Sequence, residues 1–306
     1  MKELPRRILA GVALGGGALH EAEPTAQDRR IVHQAFSFAR LTGAELRLLH
    51  IGEWEVPAAD QSHHDAILAE RRKKLEALAA EIQAAANAQS VSTSVALAAG
   101  KPYLCFMEEA ERYSADLFVI GPVVHRHGIL TRVIHGSTAG RLIRQSPLPV
   151  LRVAGTAPDH FERMLVAVDL LPEMSGRLVA TANALHGRDA AMRRYLLHCM
   201  EFPQDIVMRR MPDAAKALRE YHAEVESRAR EGISGLLGDE EARWRVLLER
   251  DWVGRVAPRV VQEEGIDLLV IAGVTLPRLA GLLLGTTAEK ILEAAAVSAL
   301  ILKPEQ

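Results

Sequence analysis

The chain has 306 residues, 49% of them apolar and 25% charged, with a formal net charge of −2, an ordinary globular composition long enough for one large domain or two smaller ones. With no basic excess and aromatics at only 4%, nothing in the composition argues for a nucleic-acid or polyanion partner. Its cysteines, Cys105 and Cys199, are too few for a disulfide framework or a cysteine zinc cluster.

Residues 1–7 lack the apolar core of a signal peptide, and no apolar run approaches the ~18 residues of a membrane span. The expectation is a cytoplasmic protein without a membrane partner. The first apolar run, Arg7-Ile8-Leu9-Ala10-Gly11-Val12-Ala13, reads as a strand. Gly15-Gly16-Gly17 follows it, and the Lys and Ser/Thr that a phosphate-binding P-loop requires are missing, so a flexible turn is the better reading. Residues 28–41 place Ile31, Ala35, Phe38 and Leu41 on one helical face, and Gly43 terminates the helix. A second strand holds Leu48-Leu49-His50-Ile51. Residues 63–86 are a long charged helix, and Cys105 falls in an apolar run that predicts a buried, inert thiol. Asp116-Leu117-Phe118-Val119-Ile120 reads as a strand opening on a loop, Gly121 to Gly128 and on to His135-Gly136-Ser137-Thr138. The half closes on an apolar run at 149–153, and Ala154-Gly155-Thr156-Ala157-Pro158 has linker composition.

The same phrases then return in the same order. Arg163-Met164-Leu165-Val166-Ala167-Val168-Asp169 answers the first strand, Leu196-Leu197-His198-Cys199 the second, and Asp267-Leu268-Leu269-Val270-Ile271 the strand before the loop. Gly285-Thr286-Thr287-Ala288 answers Gly136-Ser137-Thr138-Ala139, and a last apolar run lies at 299–302. The offsets of 156, 148, 151 and 149 residues describe two copies with small loop insertions. The second long charged helix falls at 214–237. Short continuous apolar runs between helical stretches predict parallel strands covered on both faces, β-α-β-α-β-α-β-α-β in each half. The expected domains are 1–156 and 159–306.

In such sheets ligands sit at the carboxyl ends of the strands, where helix N-termini offer N–H groups to anions. In the first half that place is formed by Gly121, Gly136, Ser137 and Thr138. In the second it is formed by Ala272, Gly273, Thr275, Gly285, Thr286 and Thr287. A strand ending in Val-Ile-Gly, a loop, Gly-(Ser/Thr)-x-Ala, then Pro-x-Pro-Val-Leu resembles the universal stress protein family, over nearly the whole chain and twice. The closing stretch from Leu284 to Gln306 looks most like the two-domain bacterial members. The resemblance implies two tandem doubly wound parallel five-stranded sheets, adenine-nucleotide alpha hydrolase-like, paired through their last strands as an internal pseudo-dimer. It implies ATP, accompanied by magnesium, as ligand. ATP-binding members carry Gly-x2-Gly-x9-Gly-(Ser/Thr) and an Asp at the end of the first strand.

Both copies depart from that pattern. Ala13 stands at the Asp position of the first, Val124 replaces its second glycine, and fifteen positions separate Gly121 from Gly136 rather than thirteen. The second keeps Asp169 but has Ala272 and Thr275 at the first two glycine positions, with the backbone of Cys199 and Met200 placed to face the base. The second copy is the better nucleotide candidate. Gly285-Thr286 is also consistent with a plain helix cap.

Other features admit two readings. His125, His127 and His135 share one loop and could approach a metal or an anion, although Arg126 lies between two of them. His50 and His198 recur at the same strand end, which favours a structural role. Cys199 ends a strand near the cleft and would sense oxidants if its pKa were lowered. The unusually apolar stretch 276–284 would suit a partner or an apolar ligand. The expectation is a stress-response regulatory protein sensing an adenine nucleotide, with an unidentified protein partner, as a pseudo-dimeric monomer or a homodimer. The alternatives are an interaction module or apolar-ligand binder using the same cleft, and a slow ATP hydrolase using Asp169 and Thr286.

Overall fold

The computed structural model describes residues 4–14, 23–52, 61–121, 138–154, 158, 160–210, 213–273 and 286–304. The first half runs β1 (Arg7–Val12), α1 (Ala26–Thr42), β2 (Glu45–Gly52), α2 (Gln61–Ala85), β3 (Thr93–Ala99), α3 (Pro102–Tyr113), β4 (Leu117–Ile120), α4 (Thr138–Gln145) and β5 (Val150–Arg152). The second runs β6 (Arg163–Val168), α5 (Pro172–Arg188), β7 (Arg193–Cys199), α6 (Asp205–Met208), α7 (Ala214–Leu237), β8 (Arg245–Glu249), α8 (Val253–Glu263), β9 (Leu268–Ala272), α9 (Thr286–Ala294) and β10 (Ser298–Leu302). The expected alternation holds in both, with the one-turn α6 added to the second.

Local chemistry sets the boundaries. The Thr25 hydroxyl accepts the Asp28 N–H while the Asp28 carboxylate accepts the Thr25 N–H, a capping box that starts α1. Gly43 ends the helix at φ 75°, where a side chain would be strained.

Each half is a parallel sheet, β3-β2-β1-β4-β5 and β10-β9-β6-β7-β8. The last strands, β5 and β10, pair antiparallel with Leu151 opposite Leu300, so the two five-stranded sheets join into one of ten strands. An apolar edge with unpaired N–H and C=O groups is costly, and each half supplies the partner the other needs.

Side-chain alternation along the strands sends Ile8, Ala10 and Val12 to one face, under α1, α2, α5 and α7. Leu9 goes to the other face, under α3, α4, α8 and α9. Both apolar layers run unbroken across the two halves. The central strands are apolar throughout because both faces are covered. The outermost strands β3 and β8 are only half-buried.

Charged side chains close the seam reciprocally. Arg152 Nη2 of the first half donates to the Ala295 and Val297 carbonyls in the turn between α9 and β10, at 3.2 and 3.1 Å. Lys303 Nζ of the second half donates to the Ile143 carbonyl in the last turn of α4. The connecting segment is packed as well: Gln34 donates to the Pro158 carbonyl, and Phe161 meets Phe38 edge-on at 6.1 Å.

Candidate functional site

In the second half the winding reverses at β6, which pairs with β7 on one side and β9 on the other. A cleft of about 760 Å³ opens there, at the carboxyl ends of these strands, between α7 and the first turn of α9. That is within the ~300–1,000 Å³ range of small-molecule sites. Val168, Leu170, Val225, Ile271 and Ile291 make much of its wall, and its charged side chains are Asp169, Glu201 and Arg228.

Asp169 is exposed at the end of β6. Its Oδ1 accepts the Leu171 N–H at 3.0 Å and the Ser175 hydroxyl at 3.2 Å, which starts α5. Both bonds fall on one oxygen. Cys199, Met200, Ala272 and Thr287 also line the cleft. The Met200 N–H is engaged by the Glu249 carbonyl at 2.8 Å, so this edge meets a ligand through other atoms. Burial, with the Glu249 and Asp251 carboxylates adding to it, pushes the Cys199 thiol up to about 12. An oxidant sensor needs the opposite shift, so this environment speaks against the redox reading of Cys199. The His198 Nδ1 donates to the Val168 carbonyl at 3.0 Å, as His50 Nδ1 does to Val12 at 2.9 Å. These recurrent histidines close the gap between two strand ends.

Gly273 is placed differently from the other site residues. Its N–H donates to the Leu302 carbonyl at 2.7 Å, and a Cβ there would lie 2.7 Å from Ile301 Cγ2. Close packing against β10 requires this glycine. At Gly121 in the first half a Cβ would meet the Ile31 Cδ1 methyl on α1, a side-chain end that can move aside. Thr286 and Thr138 begin α9 and α4. Thr275, Gly285, Gly136, Ser137, the loop histidines His125, His127 and His135, and Gly15-Gly16-Gly17 lie outside the described residues.

The end of β1 contrasts with the end of β6. The Ala13 N–H donates to Asp28 Oδ1 at 3.1 Å, and buried Arg71 donates to the Leu14 carbonyl at 3.3 Å. Leu14 is fully buried in a left-handed conformation, φ 46°. Leu170 adopts the same rare conformation, φ 64°, but is only half-buried and lines the second cleft. Two left-handed leucines at corresponding strand ends mark strain stored at a site the fold repeats.

Sequence reasoning missed Leu14, Leu170, Asp28 and Arg71, and on the cleft wall Glu201 and Arg228. Signals for three of them were present. Leu14 and Leu170 are 156 positions apart, the offset of the strand before them; Arg71 interrupts the apolar stripe of Ile67 and Leu75. An aromatic cluster also went unread, where the Phe202 and His222 rings meet tilted with centroids 4.2 Å apart and His222 Nε2 meets Asp205 Oδ1 at 2.7 Å, fastening α6 to α7.

Among the described residues no helix is long and apolar enough to cross a membrane. A sequence model of the universal stress protein family matches residues 22–154 and again 160–303. No curated protein sequence matches the chain. Similar solved structures include a functionally unknown protein from Pseudomonas aeruginosa PAO1, 19% identical, with a TM-score of 0.69 over 99% of this chain and 94% of that one. A universal stress protein from Archaeoglobus fulgidus DSM 4304 is 16% identical, with a TM-score of 0.65 over 97% of this chain and 98% of that one. At these identities the likeness is one of fold, and it extends over both halves.

Proposed function

This chain belongs to the universal stress protein family, and from that we propose that the cleft of its second half binds an adenine nucleotide, making the protein a cytoplasmic nucleotide-responsive regulator of the stress response. The observation that carries this reading is convergence. Asp169, the Cys199–Met200 strand end and the first turn of α9 come from separate stretches of sequence and line one cleft of nucleotide size. The aliphatic walls suit the flat faces of the base. Asp169, with both intramolecular bonds on Oδ1, offers Oδ2 to a ribose hydroxyl. Phosphate is left to the α9 N-terminus and to Arg228, the basic side chain of the lining. Magnesium would travel with the phosphates, keeping mostly water and phosphate ligands.

The first half is proposed to be a scaffold, because its own side chains occupy the polar groups at the end of β1. Titration calorimetry with ATP and magnesium, together with native mass spectrometry, tests the assignment. One site per chain is expected, with Asp169→Ala weakening it about tenfold, the scale of a hydrogen bond to a charged group. Two equal sites, or an Asp169→Ala variant that binds like the parent, would sink it. The aliphatic lining supports one competing reading, an apolar ligand, which the same spectra would reveal as a lipid-like mass.

A further inference from the structure

The helix bordering the second cleft is touched by a charge from the other half of the chain. In α9, Thr287, Ala288 and Ile291 line the cleft, while Glu289 in the same first turn lies outside that lining and is buried, 8% exposed. Among the described residues its Oε1 accepts no hydrogen bond. What faces it is Arg144, in the last turn of α4, whose Nη1 lies 3.6 Å away with both side chains about one-tenth exposed. The contact is held in place beside it, because the last turn of α4 also receives Lys303 Nζ on the Ile143 carbonyl.

A buried carboxylate in the first turn of a helix suits the helix itself but repels an anion arriving at the same N-terminus, and low dielectric strengthens that repulsion. We infer that Arg144, contributed by the first half, is a positioning residue for the phosphate end of the second half's ligand: by holding and neutralising Glu289 it leaves the α9 N-terminus free to accept negative charge. The inference rests on reading the second cleft as a nucleotide site. It makes the tandem arrangement functional, since a single copy would carry Glu289 without its counter-charge.

The test is calorimetric titration of the full chain, and of Arg144→Gln, Glu289→Gln and the double variant, with ATP plus magnesium and separately with adenosine. Arg144→Gln is expected to weaken ATP about threefold to tenfold, the scale of one charge at a helix terminus, and to leave adenosine unchanged. Glu289→Gln is expected to tighten ATP about threefold, and the double variant to recover the parent affinity or exceed it. Equal losses for ATP and adenosine in Arg144→Gln, or no loss, overturn the inference while leaving the nucleotide site standing. A parent chain that binds neither ligand overturns the nucleotide reading and this assignment with it. Should Arg144→Gln fail to fold, Glu289→Gln decides by sign: tighter ATP binding supports the inference, and unchanged or weaker binding overturns it.

Discussion

At Cys199 and His50 the same force, burial, suppresses charge on groups that exposed sequence neighbours would leave ordinary. The Cys199 thiol, pushed up to about 12, is protonated at neutral pH, and the buried Cys105 thiol is also raised by desolvation. Neither should react with an aromatic disulfide reagent at pH 7 in the folded protein, while both should on unfolding. Fast labelling of Cys199 in the native state would contradict the burial argument. The imidazole of His50 is lowered from 6.5, chiefly by burial and further by Arg71. Below about 6.5 the unfolded chain then binds a proton that the native state resists. Stability must therefore fall as pH drops through that value toward the lower native pKa. His50→Asn, which keeps a donor for the Val12 carbonyl, should lose stability less steeply than the parent between pH 6.5 and 5. Parallel melting curves for the two across that window would refute this. The role of these histidines was legible from their recurrence at matched strand ends, but the burial that sets the direction of the His50 shift was not, nor was the added push from Arg71, 21 positions away and brought close through α2 packing.

Elements were read well where their signals are local. Helix α1 ends at the glycine that its sequence marks, and α7 occupies the stretch 214–237 that its composition marks. Glycines show the limit of such reading, because one residue type serves two needs. Gly43 has open space around it and is required for its left-handed φ of 75° alone; Gly273 is required because β10 leaves no room for a Cβ. Gly273→Ala should therefore cost about 1–3 kcal/mol by overpacking against Ile301. Gly43→Ala should cost about 1–2 kcal/mol through backbone conformation. Urea unfolding of both variants separates the mechanisms, and a harmless Gly273→Ala would show that the contact relaxes freely. The strand-then-loop position of Gly273 looked like a phosphate cradle in sequence. Its N–H is instead consumed by Leu302, a residue 29 positions later that only the sheet brings alongside.

On the scale of the whole molecule, one ten-stranded sheet and two apolar layers shared by both halves predict one cooperative unit. Calorimetry of the intact chain should show a single transition with equal calorimetric and van't Hoff enthalpies. Leu151→Asp puts a charge at a fully buried seam position opposite Leu300 and should split or broaden that transition. Two transitions in the parent would mean the seam contributes little. The two halves differ at their matched strand ends: Asp28 accepts the Ala13 N–H and Arg71 donates to the Leu14 carbonyl at the end of β1, while Asp169 at the end of β6 is exposed.

Repetition, apolar periodicity and turn residues determined by themselves that this chain is a duplicated α/β unit, which halves correspond, and that the last strands of each must be covered. Those properties are carried by short-range pattern, and any chain with that pattern must bury the same faces. Which side chains meet at the ends of β1 and β6, which glycines touch neighbours, and which charges meet across the seam were decided only by tertiary structure. Each depends on residues far apart in sequence, such as Arg144 with Glu289 or Gly273 with Ile301, whose approach follows from sheet order and helix packing. Single-residue patterns do not encode such distances.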